Sequence, residues 1–283
     1  LPLDSGIPTS GQIKFSDFYS KKLNVVVDCH SGSREDRKSA KNDKWNNNNV
    51  TVIGGFRSKK EGGSKIIINV NKKFCSDKSQ VSNVALRTGS WDSTATVQVD
   101  LGSSANILGA GGDGGNGAEG IDTSGNPGGD GTSALGIEHN NTTVNIASGA
   151  ILRAGFGGGG GGGGGRQVDK GSDRRASGGG GGGGAGCPPG NGGQGGSVQG
   201  GDGNSFGRNG TNGTETNGGS GGSGGDNDDQ AGGQSGGSGG DAQGNAGGAQ
   251  GGAGGNGAAI RRTSGFSVTI NNSGTITGST SAT

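Results

Sequence analysis

Four short apolar runs, bounded by polar residues and rich in β-branched side chains, recur between positions 23 and 101. They are LNVVVD (23–28), NVTVIGGF (49–56), KIIINVN (65–71) and ATVQVDL (95–101). Their β-branched enrichment predicts strands. A longer pattern recurs three times, in TVQVDLGSSANILGAGGDGG (96–115), TVNIASGAILRAGFGGGG (143–160) and SVTINNSGTITGS (267–279). Each has alternating apolar residues, a turn of small residues, then an Ile, a spacer and a Gly or Ala. The pattern predicts three β-arches, strand–turn–strand, sitting together as a platform. The polar, charged insert at 31–48 predicts a loop, and Ser16 is placed to cap a brief helical turn.

Beyond the first arch the apolar pattern gives way to glycine. Of 75 glycines, 63 lie between Gly109 and Ala258, in doublets such as GGSGGSGGD (218–226) and in uninterrupted runs at 157–165 and 178–184. A GGX triplet matches the period of an extended left-handed helix, with about 3 residues per turn and about 3.1 Å rise. Such a helix has no internal hydrogen bonds, so its backbone groups need partners outside it. Several of them packed side by side satisfy that need, which predicts a bundle of polyglycine II helices held by backbone bonds and not by an apolar core. Aperiodic Gly/Ser-rich sequence is ordinarily a flexible linker. Here the runs are of similar length and are separated by short loops of different composition.

Eight runs are expected, at 109–117, 127–135, 154–165, 178–186, 190–203, 218–225, 231–240 and 244–258. An even number returns the chain to the platform, in agreement with the third arch. Parity then puts the loops at 118–126, 166–177, 204–217 and 241–243 at the far end. It puts 136–153, the Cys187-Pro188-Pro189 turn and 226–230 at the platform.

Composition narrows the function classes. Only 24% of the 283 residues are hydrophobic and 4% aromatic, too few for one large conventional core. Residues 1–108 hold 16 Lys/Arg against 10 Asp/Glu, and the remainder 8 against 13. Neither part has the clustered basic stripe with interleaved aromatics of a nucleic-acid surface. No apolar run approaches the roughly 18 residues of a membrane span. Cys29, Cys75 and Cys187 are widely spaced. Cys29 and Cys75 are a possible pair, but no secretory signal opens the chain, so reduced thiols are expected.

Enzyme chemistry has little to stand on. His30 and His139 are the only histidines, and no further Cys or His near Cys29-His30 gives metal-ligand spacing. The GxG sequences follow no strand-to-helix junction with the required Lys or acidic partner. GGDGGNG (111–117) approaches a calcium-binding β-roll repeat but lacks its apolar position and its nine-residue recurrence. The acidic turn at 226–229 reads as solvated in preference to cation-binding, and no cofactor or metal is expected.

The sequences AKNDKWNNNNVTVIGG, KIIINV, ALRTGS and TVQVDLGSSANILGAGGDGGNG, together with the glycine runs, resemble a domain of tailed-phage tail proteins. GQIKFSDFY (11–19) is similar to a short motif near the start of many such proteins. Glycine runs joined by variable loops resemble the tip adhesins of T-even long tail fibres, which carry polyglycine II bundles with receptor-contacting loops at the distal end. The charged N-terminal portion departs from the adhesins' attachment domain.

The fold class expected is therefore mainly β, with β-arches plus a polyglycine II bundle and essentially no α-helix. Residues 1–108 are expected as attachment and platform, 109–259 as the bundle with an arch at 136–153, and 260–283 as the returning arch. The function implied is a phage receptor-binding protein with no enzymatic activity, made in the host cytoplasm and carried on the virion. Its partners would be a host receptor, protein or glycan, and other tail proteins, with no nucleic acid and no membrane insertion. Binding residues usually sit on loops displayed by a rigid scaffold. The candidates are Glu119, Ile121, Asp122, Arg166, Gln167, Asp169, Lys170, Asp173, Arg174, Arg175, Phe206, Arg208 and Asn209. The resemblance assigns virion attachment to Ile13, Phe15, Phe18 and Tyr19. The alternatives are a structural fibre segment without a receptor, and an ice-binding protein, against which the long charged loops argue.

Overall fold

The computed structural model describes residues 24–29, 65–78, 83–89, 91, 93–119, 124–169, 172–197, 204–225, 235 and 251–283. The expected strand at 49–56, the loop at 31–48, the turn at Ser16 and most of the last two glycine runs lie outside them.

The described residues are strand-rich and contain no helix, as the alternation predicts. Three parallel sheets form the walls of a solenoid. The first wall orders β1 (Asn24–Cys29), β2 (Lys65–Val70), β5 (Thr96–Leu101), β8 (Thr142–Ile146) and β14 (Val268–Asn272). The second orders β3 (Lys73–Cys75), β6 (Asn106–Leu108), β9 (Ile151–Arg153) and β15 (Thr275–Thr277). The third is β4 (Val84–Arg87), β7 (Ser133–Ile137) and β13 (Ile260–Arg262). Each full coil runs third wall, first wall, second wall, as in β4–β5–β6, β7–β8–β9 and β13–β14–β15.

The predicted arches are the corners between the first and second walls. Ala105 N–H bonds to Gly102 C=O at 2.8 Å and Ala150 N–H to Ala147 C=O at 3.1 Å, so small residues close two successive corners in the same way. Stacking is in register, with Val99 beside Ile68 and Val144. Period two then sends Val97, Val99, Leu101, Val144 and Ile146 into one core with Ile107, Leu135 and Leu152. The third wall was not predicted. SALGI is buried at every position, so β7 carries no alternation to read.

Glycine enters as two excursions inserted at one corner. Residues 109–132 leave the end of β6 and return at β7; residues 154–259 leave β9 and return at β13. Within them, backbone donors recur every third residue. Gly112, Gly115 and Ala118 donate to Phe156, Gly159 and Gly162, while Gly111, Gly114 and Gly117 donate to Pro188, Asn191 and Gln194. Gly178, Gly181 and Gly184 donate to Ala118, Gly115 and Gly112 in the opposite sense. Neighbouring runs are thus both parallel and antiparallel.

Exposure follows the same period. In 190–197, residues 191, 194 and 197 are exposed and 190, 193 and 196 buried. This explains the two kinds of glycine sequence. The run 178–184 bonds to five neighbours, 109–118, 156–162, 190–196, 208–214 and 219–222, so every face must be free of side chains. Peripheral runs lack a neighbour on one side and carry a polar residue there. Its side chain replaces the missing carbonyl: Asp113 Oδ1 accepts from Asn191 N at 2.7 Å, Asn116 Oδ1 from Gln194 N at 2.9 Å, and Asn209 Oδ1 from Gly195 N at 2.8 Å.

Candidate receptor-binding site

The two ends of the bundle differ in chemistry. At the solenoid end, the turn at 214–217 presents Glu215 to Lys73 of β3 and to Arg153 of β9, the latter at 3.4 Å. Arg153 is buried. Lys78 pairs with Asp113 at 2.8 Å. A disulfide joins Cys75 to Cys187, with Cα atoms 5.1 Å apart. The expectation of reduced thiols, or of a Cys29–Cys75 pair, is corrected by this bond. Parity had already put the Cys187 turn at the platform, where Cys75 ends β3; combining the two positions was the signal available.

At the opposite end, Ala118, Gly162, Gly178, Gly196 and Gly207 lie at one level: Ala118 N bonds to Gly162 O at 2.9 Å, Gly178 N to Ala118 O at 3.2 Å, Gly196 N to Gly178 O at 2.9 Å and Gly207 N to Gly196 O at 3.2 Å. Beyond it stands a hairpin of β10 (Gly165–Asp169) and β11 (Ser172–Ala176), joined in parallel by β12 (Asn204–Ser205). The glycine run passes into this hairpin where the sequence regains side chains. Register sets Arg166 directly opposite Arg175 and Gln167 opposite Arg174, and brings Asn204 beside Arg175.

Phe206 follows β12 and is 58% exposed, the one exposed large hydrophobic residue among those described. Arg208 and Asn209 are exposed beside it. Glu119 lies at the same end, where its carboxylate accepts from Ser197 Oγ at 3.5 Å. Arg166, Gln167, Asp169, Asp173, Arg174 and Arg175 are placed by their backbone on the hairpin. Ile121, Asp122, Lys170 and the attachment residues Ile13, Phe15, Phe18 and Tyr19 lie outside the described residues.

The segment expected as a far-end loop at 204–217 divides. Gly207, Gly210 and Gly213 donate to Gly196, Gly193 and Gly190, so this stretch is a further run of the bundle. Its GxxGxxG spacing was the overlooked signal: one glycine per turn suffices at the periphery. The run 218–225 accordingly ends at the far end, where Gly225 N bonds to Ser177 O at 2.9 Å.

His139 is buried with Nε2 2.9 Å from Ala95 O, a structural joint between the same corner of two successive coils. Among the described residues no three His, Cys, Asp or Glu side chains group as a metal site. No described helix is long and apolar enough to cross a membrane.

No curated protein and no solved structure matches the chain. A family model does, that of the phage tail fibre adhesin Gp38, over residues 37–281. This is a family of tail adhesins and not of enzymes, and it implies a place on the virion tail with a host surface and other tail components as partners. With nearly the whole chain spanned by that model, the chain belongs to the phage tail fibre adhesin Gp38 family.

Proposed function

We propose that this adhesin recognises its host through the far end of the glycine bundle, with the β10–β11 hairpin and the Phe206–Asn209 segment as the contact surface. The observation that carries the reading is the register of Arg166 against Arg175, with Arg174 and the exposed Phe206 close by in the fold. Arginine forks suit carboxylate and phosphate groups, and an exposed aromatic provides an apolar anchor. The receptor class is therefore an anionic surface group, on a glycan or an acidic protein loop. Catalysis has no part in the proposal. The runs themselves are proposed to be polyglycine II helices; the three-residue period of donors and of exposure supports this. The motif around Ile13, Phe15, Phe18 and Tyr19 is the proposed virion-attachment segment.

Replacing 166–175 and 204–206 with Gly-Ser turns tests the reading. The chain is expected to fold and to remain on the virion, while adsorption to host cells is lost. Adsorption at the original rate by a phage carrying the double replacement refutes it.

A further inference from the structure

Six Asn-Gly pairs lie in the glycine excursions, at 116–117, 191–192, 209–210, 212–213, 217–218 and 256–257. This dipeptide carries a chemistry of its own. The glycine nitrogen can attack the asparagine Cγ, because glycine has no Cβ to hinder the approach and is free to take up the conformation it needs. A cyclic imide forms and ammonia leaves. Water then opens the ring at one carbonyl to give aspartate, or at the other to give isoaspartate. The attack needs a glycine nitrogen released from any hydrogen bond and a side-chain carbonyl free to turn back onto the main chain.

Packing removes both at four of the six pairs. Gly117 N is held on Gln194 O at 2.8 Å, Gly210 N on Gly193 O at 2.9 Å, Gly213 N on Gly190 O at 2.9 Å and Gly257 N on Gly155 O at 2.8 Å. In the same pairs the asparagine Oδ1 accepts from a neighbouring run. Asn116 accepts from Gln194 N at 2.9 Å, Asn209 from Gly195 N at 2.8 Å, Asn212 from Gly192 N at 2.8 Å and Asn256 from Gly157 N at 3.0 Å. At the fifth pair Asn191 is exposed, but its glycine nitrogen is the Gly192 N held on Asn212. These five pairs react only when that stretch of the bundle opens locally.

Asn217-Gly218 differs. It lies in the turn between two runs, after Gly213, which bonds to Gly190, and before Gly219, which bonds to Gly183. Asn217 is exposed, and neither its side chain nor the Gly218 nitrogen has a hydrogen-bond partner among the described residues. Thr214 holds only the Asn217 main chain: Thr214 N donates to Asn217 O at 2.7 Å, and Asn217 N donates to Thr214 Oγ1 at 2.9 Å. The turn fixes the backbone and leaves Cγ free.

We infer that Asn217 is the site of a spontaneous modification, its conversion to aspartate and isoaspartate through an imide with Gly218, with water consumed and ammonia released. The effect falls on the joint between bundle and solenoid. Glu215 of the same turn holds Lys73 and the buried Arg153. Isoaspartate routes the main chain through Cβ, which adds a backbone atom to the turn and displaces the Asn217 carbonyl from Thr214. The turn then loses the geometry that presents Glu215.

Ageing the intact chain at mildly alkaline pH, followed by peptide mapping with mass spectrometry, tests the assignment. Product at Asn217 is expected to accumulate at least about tenfold faster than at any of the other five pairs, since those wait on local opening. In the urea-unfolded chain the six rates should converge. A native chain in which another pair reacts as fast as Asn217 overturns the inference, as does a native chain still unreacted at Asn217 after the unfolded chain has converted. Asn217→Gln keeps an amide at this position but would need a larger ring to cyclise. Its unfolding midpoint is expected to hold through ageing, while the parent's falls as isoaspartate accumulates. A parental midpoint that stays level after full conversion overturns the effect on the turn.

Discussion

Replacing Gly181 by Ala should destabilise the protein severely. Gly→Ala at a glycine outside the left-handed region ordinarily stabilises by about 0.4–1 kcal/mol, because the unfolded chain loses freedom. Gly181 has no positive φ, so that small gain is the expectation from local conformation alone. Packing reverses the sign. A Cβ at Gly181 would lie 2.0 Å from Gly159 O and 2.6 Å from Gly159 C, both backbone atoms. Ordinary contact begins near 3.4 Å, so the two runs must separate by about 1.4 Å. That distance breaks Gly159 N to Gly182 O, now 2.8 Å, and strains Gly181 N to Gly115 O at 2.8 Å and Gly193 N to Gly181 O at 2.7 Å. Two or three bonds lost at about 1–2 kcal/mol each, counting the buried groups left unpaired, give a loss of roughly 2–6 kcal/mol. The assay is equilibrium denaturation of parent and variant. Gly255→Ala is the control: its Cβ would meet only the Asp130 side chain, at 3.2 Å, and the expected loss is under about 1 kcal/mol. Equal midpoints for Gly181→Ala and the parent would refute close backbone packing.

Two further outcomes concern the solenoid end of the bundle. Cys187→Ser opens a bridge that spans 112 residues and should cost up to roughly 4–5 kcal/mol on the chain-entropy account, measured as a lower midpoint that reducing agent no longer shifts. Glu215→Ala leaves the buried Arg153 without its counter-ion; because Glu215 is half-exposed, a loss of about 1–2 kcal/mol is expected, and Arg153→Met in the same background should recover part of it, a double-mutant cycle being the measurement.

How much of this was legible depended on whether a segment had one face or two in contact with other structure. β5 and β8 each have one half-exposed face, and their alternation announced them, whereas β2 was announced by its β-branched run. β4 is short, and β7 is buried on both faces, so neither left a usable period; the third wall was found only in three dimensions. The doublets at 218–225 revealed bundle runs because two of every three positions face neighbours. The run through Gly207, Gly210 and Gly213 was read as a loop, since at the rim one glycine per turn is enough and Arg208, Asn209 and Thr211 dilute the signal. The arginines of 166–175 stood out against glycine. Their opposition across a hairpin did not, because register is a property of pairing and not of composition. The disulfide was missed through a prior about cellular compartment, although the chain's own back-and-forth geometry already brought Cys187 toward β3.

The central claim is that the host is touched by the end of the bundle remote from the solenoid. A hydrogen-exchange footprint of the intact chain on host-cell envelopes measures this directly. The account predicts slowed exchange over 165–176 and 204–209, with Gly178–Gly184 already protected in the free chain and β5 and β8 unchanged. Slowed exchange confined to the outer face of the solenoid, with the hairpin unaffected, would contradict it.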